Sequence, residues 1–193
     1  DACTNAAVIT AGVPVSGTNV GATGTDLTSC GRDDFYDVWY VWTPTESGTG
    51  VANVDNTNFY PTLAMFNACG GAELACSGGN NAVSFPVTAG TPYWIRVAGD
   101  DGAMGTFELR VDMAPANDEC ANAAGITAGV PVSGYTYGAT GTDLTTCGSN
   151  DWRDVWYVWT PTESGTGVAD VDNTNFYPTL AVFDACGGAE LAC

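Results

Sequence analysis

The sixteen residues Asp37-Val-Trp-Tyr-Val-Trp-Thr-Pro-Thr-Glu-Ser-Gly-Thr-Gly-Val-Ala52 occur a second time, unchanged, as Asp154 to Ala169. Any fold for this chain must therefore accept the same structural unit twice. The match runs without a gap from Asp1/Asp118 to Cys76/Cys193, an offset of 117, with 62 of 76 positions identical and 14 different. A unit of this length buries a core of its own and exceeds the roughly 20–50 residues of a solenoid repeat, so separate beads are expected.

The repeated segment reads as a strand. Side chains alternate along a strand, so Val38, Tyr40 and Trp42 share one face and Trp39, Val41 and Thr43 the other. Both faces are bulky, as in a strand covered by a facing sheet on one side and by loops on the other. Its aromatics are read as core packing rather than a ligand platform. Pro44 lacks an N–H and ends the pairing.

Further strands are expected over 13–20, 49–55, 62–66, 73–76, 82–87, 91–97 and 105–111, separated by turns rich in Gly, Asn, Asp and Ser. Pro14 places the first of them at a sheet edge. Residues 3–10 read as a short turn or strand leading in, and 21–37 as a long loop pinned by Cys30. About eight short strands without a helical period predict an all-β fold: tandem antiparallel β-sandwiches, jelly-roll-like and disulfide-stapled. Repeat 1 spans 1–113, a stiff linker 114–117, and repeat 2 spans 118–193 without the counterpart of 77–117. Three explanations fit that shortfall: a chain continuing through more repeats, a proteolytic fragment, or strands supplied by a neighbour. The first is preferred, because near-identity implies recent duplication.

Eight cysteines make four per repeat: Cys3, Cys30, Cys69 and Cys76, then Cys120, Cys147, Cys186 and Cys193. Four cysteines allow three pairings. The expected one is Cys3–Cys30 with Cys69–Cys76, and likewise in repeat 2, because Gly-Gly-Ala-Glu-Leu-Ala between Cys69 and Cys76 is short enough for a hairpin. Zinc fits poorly without His or closely spaced Cys pairs. Disulfides imply an oxidising, extracellular setting. The sequence holds no apolar run of about 18 residues and no signal peptide, and it begins at what reads as a mature or trimmed end.

The formal net charge is −18, with four arginines, no lysine and no histidine. Nucleic acid and anionic membrane surfaces both need a basic footprint and are not expected partners. The usual general bases are missing, which leaves carboxylate pairs as the remaining route to catalysis. Asp33, Asp34 and Asp37 precede the central strand, and Asp100-Asp101 sit in a Gly-rich turn. These five, with Asp55, are also the oxygen donors a calcium site would use, although no EF-hand or nonapeptide spacing is present. Their plainer role is turn formation and solvation. Calcium is thus the one cofactor the composition admits, and the expectation is none.

Asp-x-Cys at the start, Thr28-Ser-Cys30, Asp37-Val-Trp-Tyr40, Thr62-Leu-Ala-Met-Phe66, Cys69 to Cys76, Thr88-Ala-Gly-Thr-Pro-Tyr-Trp-Ile-Arg-Val97 and Gly105-Thr-Phe-Glu-Leu109 form an ordered set. Together it resembles the bacterial pre-peptidase C-terminal-type β-sandwich of secreted multidomain proteins. The resemblance covers nearly all of repeat 1 and all that is present of repeat 2. It implies non-catalytic sandwiches set in tandem beside enzymes, adhesins or surface proteins. Relatives often carry an acidic residue before the Thr-x-Leu strand and an Asn-Asp-Asp run after the last cysteine. Here those places hold Tyr60-Pro61 and Ser77-Gly-Gly79, which removes calcium ligands the resemblance would otherwise supply.

The expected function is a non-catalytic extracellular structural or adhesive repeat protein. It would be the building unit of a surface fibre that self-associates into a polymer, with strands from a neighbouring repeat or subunit completing the second sandwich. The alternative is a carbohydrate- or protein-binding module appended to a secreted enzyme. Thr18-Asn-Val20 becomes Tyr135-Thr-Tyr137 in repeat 2, making Tyr135 and Tyr137 the candidate ligand-binding aromatics. Thr-rich loops such as 23–29 are candidates for O-linked glycan, since no Asn-x-Ser/Thr sequon exists.

Overall fold

The computed structural model describes residues 2–24, 28–79, 81–141, 145–149 and 151–193. The chain divides into two units, Asp1–Ala114 and Pro115–Cys193. Thr25, within the loop considered for O-glycan, and Asn150, the counterpart of Asp33, lie outside the described residues.

Unit 1 is built from nine strands among the described residues: β1 Ala7–Val8, β2 Val15–Thr18, β3 Val38–Trp42, β4 Gly48–Asp55, β5 Pro61–Phe66, β6 Glu73–Gly78, β7 Ala82–Val87, β8 Tyr93–Gly99 and β9 Thr106–Met113. They form a five-stranded sheet in the order β1-β3-β8-β5-β6 and a four-stranded sheet in the order β2-β9-β4-β7. Pairing is antiparallel throughout except for β1, whose two residues lie parallel to β3 with Ala7 opposite Tyr40. Pro14 does precede an edge strand, β2, and Pro86 falls in the other edge strand, β7, where a missing N–H costs no ladder bond.

The period-2 pattern decides what is buried. Tyr40 and Trp42 from β3, Ile95 and Val97 from β8, and Leu63 and Met65 from β5 form one core cluster with Ala52 and Val54 from β4, Val83, Phe85 and Val87 from β7, and Phe107, Leu109 and Val111 from β9. The two sheets thus close over a single apolar layer, driven by removal of that surface from water. Trp42 meets Phe85 edge-on at 6.3 Å, and Phe85 meets Tyr93 at 5.5 Å. Trp39 faces away from this core and leans on Phe66 at 5.2 Å. Gly50 is required here, because a Cβ at that position would lie 2.8 Å from the Trp42 ring.

The disulfides correct the pairing expected from sequence. Cys3 joins Cys69 and Cys30 joins Cys76, and unit 2 repeats this with Cys120–Cys186 and Cys147–Cys193. The reason is the β5–β6 hairpin. Glu73 opposes Phe66 near the turn, and Cys76 opposes Ala64 further along. At about 3.3 Å per residue, β6 carries Cys76 roughly 10 Å away from the turn that holds Cys69, beyond the reach of one disulfide. Loop 28–30 instead runs along edge strand β6. Ser29 donates its N–H to Glu73 at 3.0 Å, and Cys30 lies against Gly78, where a Cβ would meet the Cys30 carbonyl oxygen at 2.4 Å.

Unit 2, taken by itself, keeps parts of the same plan. β10 Ala124–Ile126 pairs parallel with β11 Tyr157–Trp159 in the register of β1 on β3, and β12 Val182–Phe183 forms a hairpin with β13 Glu190–Ala192. Identical residues differ in burial: Trp42 is 2% exposed and its counterpart Trp159 43%, Leu63 0% and Leu180 39%. In unit 1 the residues covering them come from β7, β8 and β9, and residues 118–193 contain no counterpart of these strands.

The Cys3–Cys69 bridge spans 66 residues, so replacing both with serine should destabilise unit 1 by about 4 kcal/mol in the chain-entropy treatment. Denaturant unfolding measures this. Peptide mapping without reduction should return Cys30 linked to Cys76; a Cys69–Cys76 linkage would contradict the structure.

Candidate functional site

β8 alternates, so with Ile95 and Val97 directed into the core, Arg96 emerges on the opposite face of the sheet. It is nevertheless fully buried, because loop 28–37 folds over it. Arg96 Nη1 lies 2.6 Å from Asp34 Oδ2, Nη2 donates to the Asp34 carbonyl at 2.5 Å, and Nε lies 3.3 Å from Asp37 Oδ2. Thr28 Oγ1 donates to Asp34, and Trp39 Nε1 donates to Asp37. In unit 2, Thr145 Oγ1 makes the same bond to Asp151. A buried guanidinium shared by two buried carboxylates survives because charge and hydrogen bonds compensate the lost water together. Asp34 and Asp37 are therefore spent on Arg96 and sealed from solvent.

Above this node the loops form a second, exposed layer. Arg32 Nη2 pairs with Asp101 at 2.8 Å, and Arg32 N–H donates to Asp100 Oδ1 at 2.9 Å. Asp101 N–H donates to the Arg32 carbonyl at 2.7 Å, and Asp100 N–H to the Tyr60 carbonyl at 2.9 Å. Asn19 is buried and ties in the next loop: its Nδ2 donates to the Ala103 carbonyl at 3.0 Å and its Oδ1 accepts from Gly105 N–H at 2.8 Å. A Cβ on Gly102 would sit 3.7 Å from the Tyr36 ring. Residues 18–20, 31–36 and 100–105, with Tyr60, thus make one loop cluster. It exposes Phe35, Tyr36, Tyr60 and Met104, with the Phe35 and Tyr36 rings edge-on at 6.3 Å.

This cluster also carries backbone strain. Asp33, Tyr36 and Asp101 have φ of 47°, 64° and 53°. Left-handed conformations are costly for residues with a Cβ, and more so for a bulky one. Arg153, at the Tyr36 position of unit 2, keeps φ at 69°.

The structure separates the sequence-predicted acids. Asp34 and Asp37 lie below with Arg96, Asp100 and Asp101 lie above with Arg32, and Asp33 is exposed. Asp55 is exposed at the end of β4, where it accepts a bond from Asn53. Among the described residues no group of three or more carboxylates is placed to hold a metal ion. Tyr135 is exposed and lines a cleft of about 290 Å³ with Pro115, Val132, Gly134 and Tyr157. Tyr137 lies under the Arg153 guanidinium, 6.0 Å from ring centroid to Cζ. The arginine partners and the loop convergence are not visible as motifs. The available signal was the clustering of differences between the two repeats.

Replacing Arg96 by methionine leaves two buried carboxylates uncompensated and should cost about 3–5 kcal/mol. Arg32→Ala, at an exposed pair, should cost at most about 1 kcal/mol. Urea unfolding of the two variants side by side checks the contrast.

A model of the galactose-binding-domain-like family associated with T9SS matches residues 1–111 and 116–193. No curated protein matches the chain. Among solved structures, the pre-peptidase C-terminal domain of the collagenase of Bacillus anthracis, determined at 1.0 Å, aligns at 18% identity over 56% of this chain and 95% of that one, with a TM-score of 0.37. That score carries no argument about site or function. The secreted β-sandwich that the sequence resemblance implies agrees with the family match. The family is one of binding and accessory domains rather than catalytic ones, and its T9SS association with the four disulfides marks a secreted, extracellular module. Among the described residues no helix is long and apolar enough to cross a membrane. The chain belongs to the T9SS-associated galactose-binding-domain-like family.

Proposed function

We propose that this chain is a non-catalytic adhesive module whose two units bind carbohydrate outside the cell. The observation that carries the reading is the separation of carboxylates into two roles. Asp34 and Asp37 are consumed by Arg96 below the surface, while the overlying loops present aromatics, an arginine and carboxylates to solvent. Buried, compensated acids cannot exchange protons with a substrate. Rigid exposed aromatics beside hydrogen-bonding groups suit the apolar face and hydroxyl rim of a sugar ring. The family's membership among binding and accessory domains supports the same reading. The 193-residue chain should bind a subset of an oligosaccharide array and release no reducing ends from any bound glycan. Failure to bind any glycan would remove this reading, and turnover would remove its non-catalytic part.

A second reading, a self-associating surface fibre, is favoured by the near-identity of the two units, 62 of 76 positions, which offers the same surface more than once. Sedimentation of the 193-residue chain should show polymers that grow with concentration; a monomer at every concentration would remove this reading.

A further inference from the structure

We propose that the loop cluster of each unit is its carbohydrate-binding face and that the two units carry faces of different specificity. The proposal rests on the carbohydrate reading above and adds the site and its division of labour.

The first observation is where the repeats differ. Of the 14 differences in 76 positions, seven fall in the eight positions 18–20 and 32–36. Thr18-Asn-Val20 becomes Tyr135-Thr-Tyr137, and Arg32, Asp33, Phe35 and Tyr36 become Ser149, Asn150, Trp152 and Arg153. The other 68 positions hold only seven differences. Five of those seven are scattered over the exposed positions 2, 4, 8, 29 and 67, and the Thr/Ser/Gly turns at 44–50 are identical, so the two runs stand apart by the density of their changes.

The second is that the fold joins these two runs. In unit 1 both bind the 100–105 loop: Asn19 through Ala103 and Gly105, Arg32 through Asp100 and Asp101. In unit 2 they meet directly, Arg153 lying over the Tyr137 ring. Both partners of that cation–π contact are replacements, at the positions of Tyr36 and Val20. The runs have therefore changed as a matched pair.

The third is that the backbone stayed while the side chains moved. Tyr36 and Arg153 hold the same strained left-handed conformation. A relaxed loop would not keep that cost through a change from Tyr to Arg unless the position of the side chain mattered. Aromatic character also persists: Phe35 and its counterpart Trp152 are both exposed.

The chemistry names the ligand class. Each face offers a flat aromatic for the C–H side of a pyranose and polar groups for its hydroxyls. Unit 1 sets Arg32, paired with Asp101, in the same run as the exposed Phe35 and Tyr36. Unit 2 sets its arginine over an aromatic ring. The replacements alone, Arg32, Asp33 and Tyr36 against Ser149, Asn150 and Arg153, give the two faces different hydrogen-bonding groups and charge for the same class of ligand, which is how specificity is divided.

The test uses the 193-residue chain on an oligosaccharide array, followed by calorimetry with the best ligands. The pair Phe35→Ala, Tyr36→Ala should lose one subset of glycans by tenfold or more, and the pair Trp152→Ala, Arg153→Ala a different subset. Thermal melts within a few degrees of the parent will show that these exposed changes leave the fold intact. The triple change Val20→Tyr, Phe35→Trp, Tyr36→Arg should raise the stoichiometry for a unit-2 glycan from one to two per chain. If both pairs lose the same glycans, the division of specificity is wrong. If neither pair changes binding while the parent binds, the face is wrong and the carbohydrate reading survives. If the parent binds no glycan, the carbohydrate reading itself fails.

Discussion

Arg96 is the charge on which the exposed half of unit 1 depends. It leaves the sheet on the side away from the core and would be solvated if loop 28–37 did not close over it. Two carboxylates from that loop, Asp34 and Asp37, supply the compensation. An ion pair of this kind adds little net stability over apolar packing, but breaking it is expensive, so it fixes one arrangement against others. Here it fixes the loop that carries Arg32, Asp33, Phe35 and Tyr36. Each of the four lies within two residues of Asp34 or Asp37, so their exposed placement follows from that buried contact.

The disulfides perform the complementary task on the same loop. Cys30 fastens its start to edge strand β6, and Cys3 fastens the chain's entry to the far side of the β5–β6 turn. Such bridges act largely on the unfolded chain, and they act more strongly when they enclose many residues. A pairing of near neighbours would have enclosed little. The observed one crosses long stretches, which suits an extracellular module with few charges and a long, glycine-rich loop to restrain.

Much of unit 1 was legible in the sequence. The alternation in Val38–Trp42, Ala82–Val87 and Thr106–Met113 gave strands and inward faces, and Pro14 marked an edge. These are local signals, set by the two-residue period of a strand and the chemistry of one side chain. The cysteine pairing was not legible, because it turns on which strand loop 28–30 lies beside. The five acids before and after β3–β8 were legible as a group but not by role. Spacing alone does not separate Asp34, facing an arginine 62 residues away, from Asp33, facing water.

By itself the sequence determined that this is a secreted, disulfide-bonded, all-β chain of two near-identical units, since composition, period and repetition are properties of residues in order. Only the tertiary structure decided what those units present. It brought residues 18–20, 32–36 and 100–105 to one face, although more than 60 positions separate the last from the others. It placed one set of carboxylates beneath an arginine and another beside water. The physical reason is that burial and charge compensation depend on which chain segments are close in space, and contacts across a sandwich leave no periodic trace in the sequence.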